Sequence, residues 1–295
     1  MKQNQTKAIM AVLGAAILGG GNPIFSKIGL REIPPFSFTA LRFFIALIIL
    51  LPLAYKQLLK IKKEDWIKLI GVSLFATINI NLFVFGIRLT GASISQLIYS
   101  FVPVLVTIFS YLILKEKITN KKLLGIIVAL VGTMLIVFLP VIQGANSLTG
   151  NVLGNLLILA GAICFSLYPV FSKKLQKKYS PLIITTIFAL TTAAVSLSLS
   201  LTGFSGGYSW WQEVSKMALM SVLYLGIFGG AAYYLLHQYA IKHGSPIIAS
   251  LILYLQPLAV FLWAAPMLGE RLSLELIIGG GLILTGASLV SKTKD

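Results

Sequence analysis

Gln96, Tyr99, Ser100, Pro103, Thr107 and Ser110 recur three or four residues apart inside an otherwise apolar stretch. On a helix they share one face. Such a stripe offers neutral donors, acceptors and an aromatic ring, which is the chemistry of recognising a small molecule rather than transforming it. Thr107 and Ser110 suit hydrogen bonds between packed helices, whereas Gln96, Tyr99 and Ser100 suit the lining of a cavity. Tyr254, with Ser250 and Pro257, reads as a facing wall. Asn79, Tyr233 and His237 also interrupt apolar stretches, where contact with lipid is costly, so each must face protein or water. His237 can line the cavity or serve as a hydrogen-bonded structural group. There is no His-Glu-x-x-His and no mid-stretch carboxylate pair. Catalysis, a metal site and a cofactor are therefore not expected.

Arg42 is the one charge well inside an apolar stretch, about 10 Å from its end at about 1.5 Å per residue. It can bind an anionic group such as a carboxylate, or pair structurally with backbone carbonyls. Pro23, Pro103, Pro169 and Pro257 lie within apolar stretches too. A proline there lacks an amide hydrogen and frees the carbonyl four residues earlier, so helix breaks or gates are expected at all four. Asn22 and Tyr168 immediately precede two of them and are candidate site residues. Glu116 and Glu270, at stretch ends, read as structural pairing groups.

These residues are carried by long apolar segments. The chain is 57% hydrophobic and 11% charged, with a mean hydropathy of +0.92, which excludes a soluble domain. Ten segments can each cross about 30 Å of hydrocarbon as a helix. They run over 8–30, 36–55, 66–86, 93–114, 123–141, 152–172, 180–202, 217–238, 246–268 and 274–291. A β-barrel would need short alternating segments; the 41–53 stretch is apolar on nearly all sides. The expected class is all-α integral membrane.

The net charge of +16 could suggest nucleic acid, but its placement follows the loops. Lysines gather at 56–63, 115–122 and 173–178, all on one side if successive segments cross the membrane. That bias predicts both termini in the cytoplasm, a multi-pass protein of the inner or plasma membrane, and no nucleic-acid partner. The bilayer and a small-molecule substrate are the expected partners, and a homo-oligomer is compatible with the sequence. The single cysteine, Cys164, leaves no disulfide within the chain.

The chain also repeats itself. Asn22-Pro23-Ile24-Phe25-Ser26-Lys27 returns as Tyr168-Pro169-Val170-Phe171-Ser172-Lys173, and Pro35 as Pro181, at an offset of 146. Pro103, Glu116, Gly125 and Gly132 return as Pro257, Glu270, Gly279 and Gly286 at an offset of 154. The unit is thus a half-chain, residues 1–145 and 146–295, and five crossings in each make the second inverted relative to the first. Paired glycines at Gly125, Gly132, Gly279 and Gly286 suit close helix packing.

The duplicated halves, Ala40-Leu41-Arg42-Phe43 and Gly269-Glu270-Arg271-Leu272 together resemble the EamA-type members of the drug/metabolite transporter superfamily. The first half departs at Lys115-Glu116-Lys117, where Lys115 stands for the glycine of the second copy. The resemblance implies an inner-membrane carrier with a central cavity between two halves, moving small metabolites, amino acids or drugs, often outward. Members carry an arginine at the position of Arg42 across many substrates, which favours a structural role there. Amino acids and related compounds moved by alternating access are the first expectation; a lipid flippase of the same fold, a channel and an intramembrane enzyme are the alternatives.

Overall fold

The computed structural model describes residues 2–89, 95, 98–142, 152–202, 210–212, 214–268 and 274–292. Among these there is no strand. The helices are α1 (Lys2–Gly20), α2 (Asn22–Gly29), α3 (Pro35–Leu58), α4 (Lys63–Leu89), α5 (Val102–Phe109) and α6 (Asn120–Ile142). They continue with α7 (Val152–Leu175), α8 (Pro181–Leu201), α9 (Lys216–Tyr224), α10 (Tyr233–His243), α11 (Pro246–Leu268) and α12 (Leu274–Lys292). A π-helical turn, Ser110–Leu114, extends α5, and a longer one, Leu225–Ala232, joins α9 to α10. Among the described residues, six helical stretches are long and apolar enough to cross a membrane, and shorter apolar helices accompany them.

Local sequence explains the helix starts. Pro35 and Pro181 occupy the first turn of α3 and α8, where a missing amide hydrogen costs nothing. Ser180 and Ser215 cap α8 and α9, accepting from Ile183 N at 3.3 Å and Ala218 N at 3.2 Å. The outward faces are apolar: Phe44, Ile48 and Leu53 of α3 are exposed, Ile48 to 66%. An aqueous surface would not carry such a face, whereas lipid accepts it.

The core is assembled by pairing helices distant in sequence. α3 packs along α8, α4 along α7, α6 along α12, and α1 against α10 and α11. In the α4–α8 seam Thr77 and Thr192 share a 2.8 Å hydrogen bond, and Ser196 donates to Asn81 Oδ1 at 3.0 Å. In the α6–α12 seam a Cβ on Gly125 would meet the Gly286 carbonyl at 2.7 Å, and one on Gly132 the Gly279 carbonyl at 2.6 Å. Only glycine lets these backbones approach so closely.

The four prolines do not behave alike. The helix stops at Gly20 and resumes at Asn22 beside Pro23, and Phe101 is a turn residue two positions before Pro103. The expected breaks at Pro169 and Pro257 are absent, because α7 and α11 run through them. Three glycines, 19 to 21, precede Pro23, while Phe165, Ser166 and Leu167 at the corresponding positions before Pro169 carry side chains that pack in the helix. The glycines make departure from α geometry inexpensive.

Candidate functional site

The break beside Pro23 is stabilised from across the bundle. Its freed Gly19 carbonyl accepts from Gln256 Nε2 of α11 at 3.2 Å, and the Leu18 carbonyl accepts from the Tyr224 hydroxyl at 3.0 Å. Orphan carbonyls inside a membrane need such partners. The ring of Tyr224 also stacks on Phe25 of α2 at 4.0 Å. Sequence reasoning singled out neither Gln256 nor Tyr224; a search for polar residues able to reach a freed carbonyl would have found both.

Opposite the break lies the π segment Leu225–Ala232. Its glycines admit neighbouring backbones: a Cβ on Gly226 would meet the Arg42 carbonyl at 3.0 Å, and one on Gly230 the Ala46 Cβ at 3.2 Å. Arg42 Nη2 donates to the Gly229 carbonyl at 2.9 Å, and the Asn22 side-chain oxygen lies against Gly229 Cα, where a Cβ would collide with it. Arg42 is 9% exposed, and its guanidinium sits 5.2 Å from the ring centre of Phe43. Arg42 Nε and Asn22 Oδ1 have no hydrogen-bond partner among the described residues. π segments within α-helices are frequent at functional sites.

Deeper in the bundle, aromatic and amide groups from both halves meet. Asn79 Nδ2 of α4 donates to the Gly161 carbonyl of α7 at 2.9 Å and to the Tyr99 hydroxyl. Tyr99 packs edge-on to Phe83, centroids 5.0 Å apart. His237 lies with its ring nearly parallel to those of Tyr168 and Tyr233, each 6.3 Å away, and stacks on Phe165 at 5.8 Å. Its Nδ1 has no partner among the described residues. Tyr234 and Phe188 stand 4.5 Å apart and connect this group to Phe43, 6.0 Å from Tyr234.

The structure thus brings together Asn79 with Tyr99, and Tyr168 with Tyr233 and His237. Asn22 joins Arg42 at the π segment. Ser100 and Tyr254 are buried, Tyr254 with no hydrogen-bond partner for its hydroxyl and no ring contact among the described residues. Glu116 follows Lys115, whose φ of 58° is left-handed, and its N–H donates to the Ser110 carbonyl at 3.3 Å. Gln96 and Glu270 lie outside the described residues. Phe43, Phe165, Phe188 and Tyr234 were not expected; Phe188 was findable, since an offset of 146 places it at the position of Arg42.

Polar ties close both ends of this arrangement. At one end Glu32 accepts from the backbone N–H of Ser215 at 2.7 Å and from its hydroxyl at 2.8 Å. Those bonds hold the Glu32 carboxyl below its ordinary value, the backbone bond contributing most. At the other end Asp65 pairs with Lys178, accepts from the Tyr179 hydroxyl at 2.6 Å, and lies 3.8 Å from Lys68. The Asp65 carboxylate raises Lys178 above the ordinary lysine value. Nearby, Lys173 Nζ donates to the carbonyls of Ile241 and Gly244 at 2.7 and 2.8 Å, closing the C-terminus of α10. Gln176 Nε2 donates to Gln238 Oε1 at 2.7 Å.

A bundle of apolar helices, two of them interrupted, enclosing polar groups contributed by distant segments, fits a membrane transporter. The model of the EamA-like transporter family matches twice, over residues 6–138 and 152–292, and this chain belongs to that family. An uncharacterized transporter of Clostridium kluyveri is 31% identical over 86% of this chain and 82% of its own length. One of Archaeoglobus fulgidus is 27% identical over 91% and 92%, and the uncharacterized transporter YvbV of Bacillus subtilis is 28% identical over 99% and 94%. A solved crystal structure with 22% identity superposes with a TM-score of 0.80 over 96% of both chains, which shows a shared fold.

Proposed function

We propose that this EamA-family transporter is a secondary carrier that moves small metabolites, amino acids and related compounds first, outward across the plasma or inner membrane by alternating access. In this reading ten spans form two inverted five-helix repeats, residues 1–145 and 146–295, with both termini cytoplasmic, and the protein is not an enzyme. The observation that carries it is the contact between the halves: Asn79, bound to Tyr99, donates to the Gly161 carbonyl of α7, the helix whose Phe165 and Tyr168 pack on His237. A site at the interface of two repeats can be exposed to either side as the repeats rock.

The α6–α12 seam supports the repeat. Gly125 and Gly279 are equivalent at an offset of 154, as are Gly132 and Gly286. Gly125 meets Gly286 while Gly132 meets Gly279, the reciprocal pairing that a two-fold axis produces. An apolar groove of about 250 Å³ between α1, α11 and α12, lined by Val12, Leu13, Leu251, Leu255 and Leu284, favours a second reading, a lipid or lipid-linked flippase.

Counterflow in proteoliposomes loaded with a labelled metabolite and amino-acid panel tests the proposal. Saturable, stereoselective exchange reduced by Tyr99→Ala and by Tyr233→Ala is the expected result. Non-saturating flux would replace the carrier by a channel. Exchange of lipid probes alone would replace its cargo.

A further inference from the structure

Arg42 presents an unsolved charge. It is 9% exposed, within a helix whose outer face is apolar, and a cation in that setting needs a counter-ion or a full set of acceptors. It has neither among the described residues: Nη2 reaches the Gly229 carbonyl at 2.9 Å, Nε reaches nothing, and no carboxylate among them pairs with Arg42. The eight acidic residues of the chain include none between Glu32 and Glu64, so α3 brings no carboxylate of its own. Phe43 sets its ring centre 5.2 Å from the guanidinium, and the rings of Tyr234 and Tyr233 follow it at 6.0 and 5.0 Å steps. These soften the cost of burial without supplying an anion.

Beside it stands the opposite deficit. Asn22 Oδ1 is a buried acceptor with no donor among the described residues, and it lies against the same glycine whose carbonyl Arg42 holds. A buried unpaired donor and a buried unpaired acceptor, both at Gly229, each cost free energy that a two-ended ligand would recover. Asn22 opens α2 just after the turn at Gly21, and Gly229 lies in the π segment.

We propose that Arg42 and Asn22 form the subsite for the polar end of the cargo: a carboxylate accepts from Arg42 Nε, and an adjacent amine or hydroxyl donates to Asn22 Oδ1. The inference rests on the carrier reading above and narrows its substrate class to carboxylate-bearing molecules, with α-amino and α-hydroxy acids satisfying both groups. The guanidinium fork matches a carboxylate better than an ammonium would. The carboxylate of the cargo is then the missing counter-ion, and cationic cargo lacking one is rejected by Arg42 itself.

The test is counterflow of labelled amino acids in proteoliposomes, with unlabelled competitors in matched sets: the amino acid, its carboxamide, and the same acid without its amine. Wild type should prefer the amino acid to its carboxamide by about tenfold or more, the size of one hydrogen bond to a charged group. Arg42→Gln should bring that ratio to about one while residual exchange persists. Asn22→Ala should keep it and lose the preference for the amine-bearing acid instead. A purely structural Arg42 would lower all competitors together and leave the ratios unchanged. Wild type that treats acid and carboxamide alike, or Arg42→Gln that keeps the wild-type ratio, overturns the subsite and leaves the carrier standing. Should Arg42→Gln not fold, Asn22→Ala decides: an unchanged preference for the amine overturns the proposal. A wild type that exchanges no member of the panel overturns the carrier reading itself.

Discussion

The motif that opens each copy, Asn22-Pro23 in one and Tyr168-Pro169 in the other, leads to two different structures from one sequence frame. In the first copy the helix is interrupted, a buried arginine follows twenty residues later, and the connecting loop carries Glu32 onto Ser215. In the second the helix runs straight, Phe188 replaces the arginine, and Lys178, at the position of Glu32, meets Asp65. Around this motif the first copy has a turn at Gly21 and leaves Asn22 Oδ1 unpartnered among the described residues, while the second keeps a continuous helix with Tyr168 among aromatic rings. Adaptable backbone and unmet hydrogen bonds belong where a ligand arrives and departs, and a packed aromatic wall gives such a site something rigid to work against.

Making the first copy resemble the second should have the largest effect. In Gly21→Leu the new side chain collides with Tyr224, so the interruption that admits this ring is overpacked, at about 1–3 kcal/mol. Counterflow should fall by about tenfold or more in protein that still elutes as a monodisperse peak; unchanged exchange would mean that the break serves packing alone. Next comes Asp65→Asn, which removes the charge that Lys178 pairs with and leaves one acceptor oxygen in place of two beside Lys178 and Tyr179. A cysteine introduced at Ser180 in a Cys164→Ala background should then be labelled faster by a soluble maleimide, by several-fold, and equal rates would show that Asp65 does not hold this end closed.

Glu32→Gln should act more weakly, since its bonds to Ser215 are solvent-exposed. A carboxyl held below its ordinary value of 4.5 stabilises the fold at neutral pH and loses that contribution as pH falls through its folded value. The thermal stability of wild type should therefore exceed that of Glu32→Gln at pH 7, and the difference should shrink as pH falls below 4.5 and through the lowered folded value. Parallel curves would remove Glu32 from the account. The smallest effect concerns another paired position, Lys115, which stands where the second copy has Gly269 and adopts a left-handed φ of 58°. Lys115→Gly should raise stability by about 1 kcal/mol, read as a higher Tm in detergent.

Much of this was legible in the residues because the physics is local or periodic. Apolar length gave helices, Pro35 and Pro181 marked helix starts, and glycine spacing placed the α6–α12 seam. Tyr99, Tyr168, Tyr233 and His237 stood out because a polar group is expensive in hydrocarbon. What escaped was non-local. Whether a proline interrupts a helix depended on neighbours such as Gly19 and on rescuers such as Gln256, 237 residues away. The π segment carried only a weak hint, Gly229-Gly230 beside Gly226, because its geometry answers to the backbone of α3. Asn81 shares with Asn79 an amide inside the same apolar stretch, yet it binds Thr77 and Ser196 in a seam.

The reciprocal glycine seam of α6 and α12 carries a historical implication. A surface in which one position meets its counterpart's partner, and the reverse, is one that a half-length chain presents to a second copy of itself. If the two repeats are inverted as proposed, such a chain, settling in the bilayer in both orientations, would already close into a pair without any covalent link. Fusion of the two genes would then have preserved a working interface, and freed each half to diverge, one keeping an arginine where the other keeps a phenylalanine.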